Sequence, residues 1–175
     1  MSSVGQREAL TQKRVLEFFR NALGYDYLGY WKDREGNANV EESQLTGWLT
    51  RQGHSDKIIA RVLHALDKAA ALSGSKSLYD ANREVYDFLR YGVKVRPDVG
   101  EQTETVWLID WEDPENNDFA VAEEVTIAGE HTKRPDVVLY VNGIALGVLE
   151  LKRSTVSASE GIRQNLDGSY LDRGA

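Results

Sequence analysis

The stretch VVLYVNGIALGVLEL, from Val137 to Leu151, consists of two apolar, β-branched runs split by Asn142-Gly143. An Asn-Gly pair between such runs is the strongest short-range hairpin signal, because a two-residue type I′ turn needs positive φ at both central positions. The chain must therefore build a sheet around this hairpin. Two further runs have strand period. TETVWLIDW would carry Thr103, Thr105, Trp107 and Ile109 on one face, and FAVAEEVTI would carry Val121, Glu123, Val125 and Ile127 on one face. The polar EDPENND between them is a loop.

The first half has helical period instead. QREALTQKRVLEFFRNAL places Leu16, Phe19 and Leu23 on one stripe, with Gly24 as a stop. VEESQLTGWLTRQG predicts a short helix ending at Gly53. SDKIIARVLHALDKAAAL predicts a helix capped by Ser55, with Ile58, Ile59, Val62, Leu63 and Leu66 facing inward. LYDANREVYDFLRYG predicts another, with Arg90 in its last turn and Gly92 after it. YDYLGYWKDREGNAN reads as turn-rich and aromatic. After the hairpin, SASE over Ser157–Glu160 matches a capping box and predicts a helix through about Leu166. Helices, then strands, then one helix indicate an α+β or mixed α/β domain.

At 175 residues the chain is long enough for one domain with a real core. It has no cysteine, which excludes disulfides and thiolate metal sites. It has neither an apolar run of membrane-span length nor a basic-then-apolar leader, so a cytoplasmic protein without membrane contact is expected. The net charge of -7 argues against a domain that wraps nucleic acid over its whole surface. Residues 101–130 contain ten acids and no Lys or Arg, whereas six bases stand against five acids from His131 onward. A local basic face or a solvated mixed surface both fit that imbalance.

The hairpin's ends carry three charges. Asp136 opens one strand, and Glu150 and Lys152 share a face at the end of the other. Two converging carboxylates form a hard oxygen site suited to Mg²⁺. A lysine beside them can orient water or stabilise negative charge on a phosphorane-like transition state. The group therefore fits metal-assisted hydrolysis of a phosphodiester. It also fits a surface ion pair between Glu150 and Lys152, with Asp136 as a turn residue. Parity separates the two readings. With a regular two-residue turn, opposed residue numbers sum to 285 and Asp136 faces Leu149, which puts Asp136 and Glu150 on opposite faces. A shared ion requires a one-residue register irregularity between Pro135 and Glu150.

RPDVVLYVNGIALGVLELKRS, EGIRQNLD, LIDWEDPENNDFAVAEEVTI and the spaced pattern AN.EVY.FLRYGV together resemble the N-terminal nuclease region of the restriction subunit (HsdR) of type I restriction–modification enzymes. The resemblance runs from about Leu23 to Asp167. It implies the restriction-endonuclease-like fold of the PD-(D/E)xK superfamily and endonuclease activity on double-stranded DNA. It implies that Asp136 and Glu150 ligate Mg²⁺, with Mn²⁺ able to substitute, and that the Leu151 backbone carbonyl is a third ligand. Lys152 would lie near the attacking water. Gln164 matches the glutamine of a glutamine-x-x-x-tyrosine element, but Gly168 stands where the tyrosine is expected. Glu84 and Glu123 are candidate outer acids, though solvated surface acids fit them better.

The expected fold is thus mixed α/β. A helical part over 1–92 and a nuclease core over 93–167 make one compact domain, followed by a divergent tail over 168–175, with the last core strand missing. The family's ATP-driven motor needs a GxxxxGK[ST] loop, which this sequence lacks, so ATP belongs to a complete subunit and not to this chain. The implied partners are DNA, bound weakly by this chain alone, and the methyltransferase and specificity subunits. A second reading is a noncatalytic docking module that contacts those subunits.

Overall fold

The computed structural model describes residues 3–72, 74–98, 100–127 and 132–151, with side chains from residue 9 onward. The predicted helix over Ser157–Leu166, the tail over 168–175, and the candidates Lys152 and Gln164 lie outside the described residues.

The elements run in the order α1 (Ser3–Glu17), a π-helical turn (Phe18–Ala22), β1 (Asp26–Tyr30), α2 (Glu42–Arg51), α3 (Asp56–Ala70), α4 (Leu78–Tyr91), β2 (Val93–Val95), β3 (Glu104–Val106), a 3-10 turn (Pro114–Asn116), β4 (Phe119–Glu123), β5 (Val137–Val141) and β6 (Ile144–Leu149). The main sheet is mixed, in the order β1-β4-β5-β6. Only the β1–β4 pair in it is parallel. Strands β2 and β3 form a separate antiparallel pair.

The helices follow their sequence signals closely. Ser55 accepts the Ile58 N–H, and Ile58, Ile59, Val62 and Leu66 are buried on α3. Leu63 is partly buried against the same core. Before α4, Ser77 and Asp80 form a reciprocal capping box, a signal the sequence reading passed over. The Ser77 bonds hold the Asp80 carboxyl below its ordinary pKa. Ser77→Ala removes the cap and should cost about 1 kcal/mol. Thermal unfolding should register that as a small fall in midpoint, and an unchanged midpoint would show the cap to be idle.

Three features depart from expectation. The first half is not purely helical, because the aromatic stretch after Gly24 forms β1 and joins the main sheet beside β4. Its tyrosines suit a strand, but the surrounding glycines and asparagines disguise it. Leu23 leaves the Leu16–Phe19 stripe and is half exposed. The cause is the π-helical turn, closed by the Leu23 N–H to the Phe18 carbonyl (3.2 Å), which shifts the phase of everything after it. Glu124 has φ 51, which breaks the β4 alternation. Val121 therefore packs towards α1 with Leu16 and Val137, while Val125 and Ile127 join Trp31, Val138 and Tyr140 in another cluster. The TETVWLIDW run is likewise a strand only to Val106, and Val106 and Leu108, rather than Trp107, are fully buried.

The largest core joins α2, α3 and α4 to β2, β3 and Ile144 at the hairpin's turn. That turn is buried, not displayed at the surface. Asn142 (φ 51) and Gly143 (φ 81) give the I′ geometry, and Val141 pairs with Ile144. The Asn142 side chain is 0% exposed. It accepts the Asp118 N–H (2.8 Å) and donates to the Leu108 carbonyl (2.9 Å) and to Asn117 Oδ1 (2.8 Å). The Gly143 carbonyl accepts the Glu41 N–H at 2.7 Å, which ties the turn to the start of α2.

Candidate active site

The register of the hairpin determines where its charged ends meet. From the turn, Val141 pairs with Ile144 and Tyr140 with Ala145, but Leu139 pairs with Gly147. Leu146 is the extra residue, a β-bulge in the middle of β6. Gly147 beside it passes close under Leu139, where an added Cβ would lie 3.3 Å from Leu139 Cδ1. Below the bulge Val138 pairs with Val148 and Val137 with Leu149, so opposed numbers now sum to one more than above it. Continuing this register by one step sets Asp136 opposite Glu150. The required irregularity is present, and it lies in β6 rather than at Pro135.

Asp136 is held on two sides. Its carbonyl accepts the Glu124 N–H at 3.0 Å. Its Oδ2 accepts the Leu151 N–H at 2.6 Å, which bridges the open end of the hairpin. Oδ1 takes no hydrogen bond from another described residue. Asp136, Glu150 and Leu151 are all half-buried. The oxygen-bearing groups at this end of the hairpin are the Asp136 and Glu150 carboxylates and the Leu151 carbonyl. Among the described residues no group of three or more His, Cys, Asp or Glu is placed to hold a metal. Two carboxylates and a carbonyl suit Mg²⁺, which keeps several waters and binds through one or two carboxylates.

The two candidate outer acids engage other groups. Glu123, at the end of β4, pairs with Val137 across the sheet. It accepts from the Tyr27 hydroxyl and from Gln12 Nε2 (3.0 Å). Burial and the Glu123 carboxylate push the Tyr27 phenol up to about 12, so it stays a donor at neutral pH. Glu84 lies on α4, where it accepts from Lys76 Nζ at 2.7 Å. The sequence reading missed Glu124, whose carboxylate pairs with Arg134 Nε at 2.7 Å and whose backbone holds Asp136. The doubled acid in AEEV was the available signal, but the positive φ that turns the chain there has no sequence mark.

A family model described as the type I restriction enzyme R protein N terminus matches residues 5–172. The chain belongs to this family. Among its relatives is a Methanocaldococcus jannaschii protein provisionally named as the type I restriction enzyme MjaVIIIP endonuclease subunit, 33% identical over 73 residues. That match covers 40% of this chain and 7% of the relative. The Haemophilus influenzae type I restriction enzyme HindI endonuclease subunit is 37% identical over 89 residues, covering 49% of this chain and 8% of that protein. The chain thus matches less than a tenth of the length of either relative. Family membership agrees with the resemblance carried by the hairpin and its flanking motifs. Among the described residues no helix is long and apolar enough to cross a membrane.

Proposed function

We propose that this chain carries the endonuclease site of a type I restriction R subunit, hydrolysing phosphodiester bonds in double-stranded DNA with Mg²⁺. The fold would be that of the restriction-endonuclease-like PD-(D/E)xK superfamily. The observation that supports this reading most strongly is the Leu146 bulge, which shifts the register by one residue, so that one step past the Val137–Leu149 pair Asp136 would fall opposite Glu150. A surface ion pair has no use for it.

In this reading Asp136 Oδ1, the Glu150 carboxylate and the Leu151 carbonyl hold the ion. A bound Mg²⁺ would lower the pKa of its water and draw charge from the scissile phosphate. The Leu151 N–H fixes the rotamer of Asp136 and so keeps Oδ1 in place before the ion arrives. Lys152, two positions beyond Glu150 in the sequence, would meet the negative charge that develops on the phosphate. DNA recognition, ATP-driven movement and the methyltransferase and specificity subunits belong to the larger assembly. Mn²⁺ would substitute for Mg²⁺, and the setting is the prokaryotic cytoplasm.

Isothermal titration of Mg²⁺ and Mn²⁺ tests the ion site directly. Wild type should bind one ion, and Asp136→Ala should weaken binding at least about tenfold, as loss of even an outer partner does. Equal binding by the two proteins would favour the docking-module reading.

A further inference from the structure

The four permanent cations Lys57, Arg61, Lys94 and Arg96 flank one open groove, with His64 beside them. Its volume is about 520 Å³, and no acid lines it. Lys57, Arg61 and His64 lie at helical spacings along the outer face of α3, whose inner face is fixed in the core. Lys94 and Arg96 lie two residues apart, at β2 and just beyond it, on one side of the strand. Val95 between them is buried in the opposite direction. The floor is formed by Ala60 and Ala65, small enough for a backbone to come close. Lys57 pairs with Asp98. Arg61, Lys94 and Arg96 form no ion pair with another described residue.

This concentration of charge stands out in a chain of net charge -7. At physiological salt, fields are screened within about 8 Å, so the distant acids do not cancel it. Two rows of cations along a groove fit a regular line of anions.

We propose that the α3–β2 groove is a phosphate-binding surface that seats one strand of a DNA duplex, separate from the Asp136–Glu150 pair. The inference takes its partner from the nuclease reading and adds a surface that holds the duplex independently of the metal. Contacts there are to the backbone and are blind to sequence.

The test is fluorescence anisotropy of the full chain with a short labelled duplex, in chelator to silence the metal pair, over a salt series starting at about 50 mM. Arg61→Ala/Lys94→Ala/Arg96→Ala should weaken binding at least tenfold at the low-salt end. It should also flatten the logarithmic salt slope by about 2.7, at roughly 0.9 per lost phosphate contact. Lys13→Ala/Lys32→Ala/Arg83→Ala changes net charge equally from other surfaces and should change the slope little. Arg61→Lys/Arg96→Lys should keep most of the affinity, which controls for folding. An unchanged slope in the first triple variant, or an equal loss in the second, would overturn the proposal. So would equally tight binding of polyglutamate, which would point to an acidic protein partner. Mg²⁺ titration of the first triple variant should match wild type, so failure of this surface and failure of the metal site are distinguishable.

Discussion

In a complete restriction enzyme assembled with this chain's residues, Asp136→Ala should abolish DNA cleavage and leave ATP hydrolysis intact. Asp136 is the acid whose geometry is best defined, with Oδ2 engaged by the Leu151 N–H and Oδ1 taking no hydrogen bond from another described residue. Replacing it removes a proposed metal ligand and orphans the half-buried N–H of Leu151. Loss of a partner that only orients a ligand already costs about 10–100-fold, so loss of the ligand should cost more than about a hundredfold. Glu150→Ala and Lys152→Ala should behave alike. The motor lies elsewhere in such an enzyme, so ATP turnover serves as the internal control for assembly. Cleavage near the wild-type rate by any of the three variants, with intact ATP turnover, would remove that residue from the site.

How much of this was legible in the sequence depends on the kind of interaction. The hairpin was legible because Asn142-Gly143 is a local, backbone-level requirement, and α3 was legible because its cap and apolar stripe are both local. That a shared ion needs a register irregularity was legible too, since it follows from counting residues between the turn and Glu150, but a three-residue loop, a bulge and a strand bend all fitted the count. The location of the irregularity was not legible. Leu146-Gly147 is an ordinary apolar pair until Leu139 is seen lying across it. Strand β1 was hidden because it depends on a long-range parallel partner, β4, more than ninety positions away. Glu123 and Glu84 were named as acids near a site, but a sequence cannot show that Tyr27, Gln12 and Lys76 engage them.

The second large effect should come from the turn. Gly143→Ala should destabilise the fold by about 3 kcal/mol or more, by overpacking added to backbone strain. A Cβ there would meet the Glu41 carbonyl and Gln44 Cβ at 2.8 Å and the Leu45 amide nitrogen at 2.9 Å, so the start of α2 must move. Asn142→Ala should cost a similar amount. It leaves the buried Leu108 carbonyl and the part-buried Asp118 N–H without their partner, at about 1–3 kcal/mol for a buried unsatisfied group and less for a part-buried one. For a chain of this size such losses lower the thermal midpoint by roughly 6–12 °C. Gly36→Ala is the control. Its φ is also positive, at 73°, but nothing lies within 4 Å of the added methyl, so it should show backbone strain alone. If Gly143→Ala melted no lower than Gly36→Ala, the packing of the turn beneath α2 would not be limiting.

The Leu146 bulge also bears on which insertions and deletions this hairpin can survive. Deleting Leu146, or adding one residue to β5 opposite it, converts two-against-one into regular pairing. Either change keeps the lower pairs, Leu139–Gly147 to Val137–Leu149, and with them the register that would carry the aspartate opposite the glutamate. One residue gained or lost between the bulge and either acid instead slides the two carboxylates out of step, unless a new irregularity absorbs it. Length variation among related hairpins should therefore collect at Leu146 and be purged below it. The bulge would act as an expansion joint, letting the upper hairpin change length while the spacing of the lower rungs is kept.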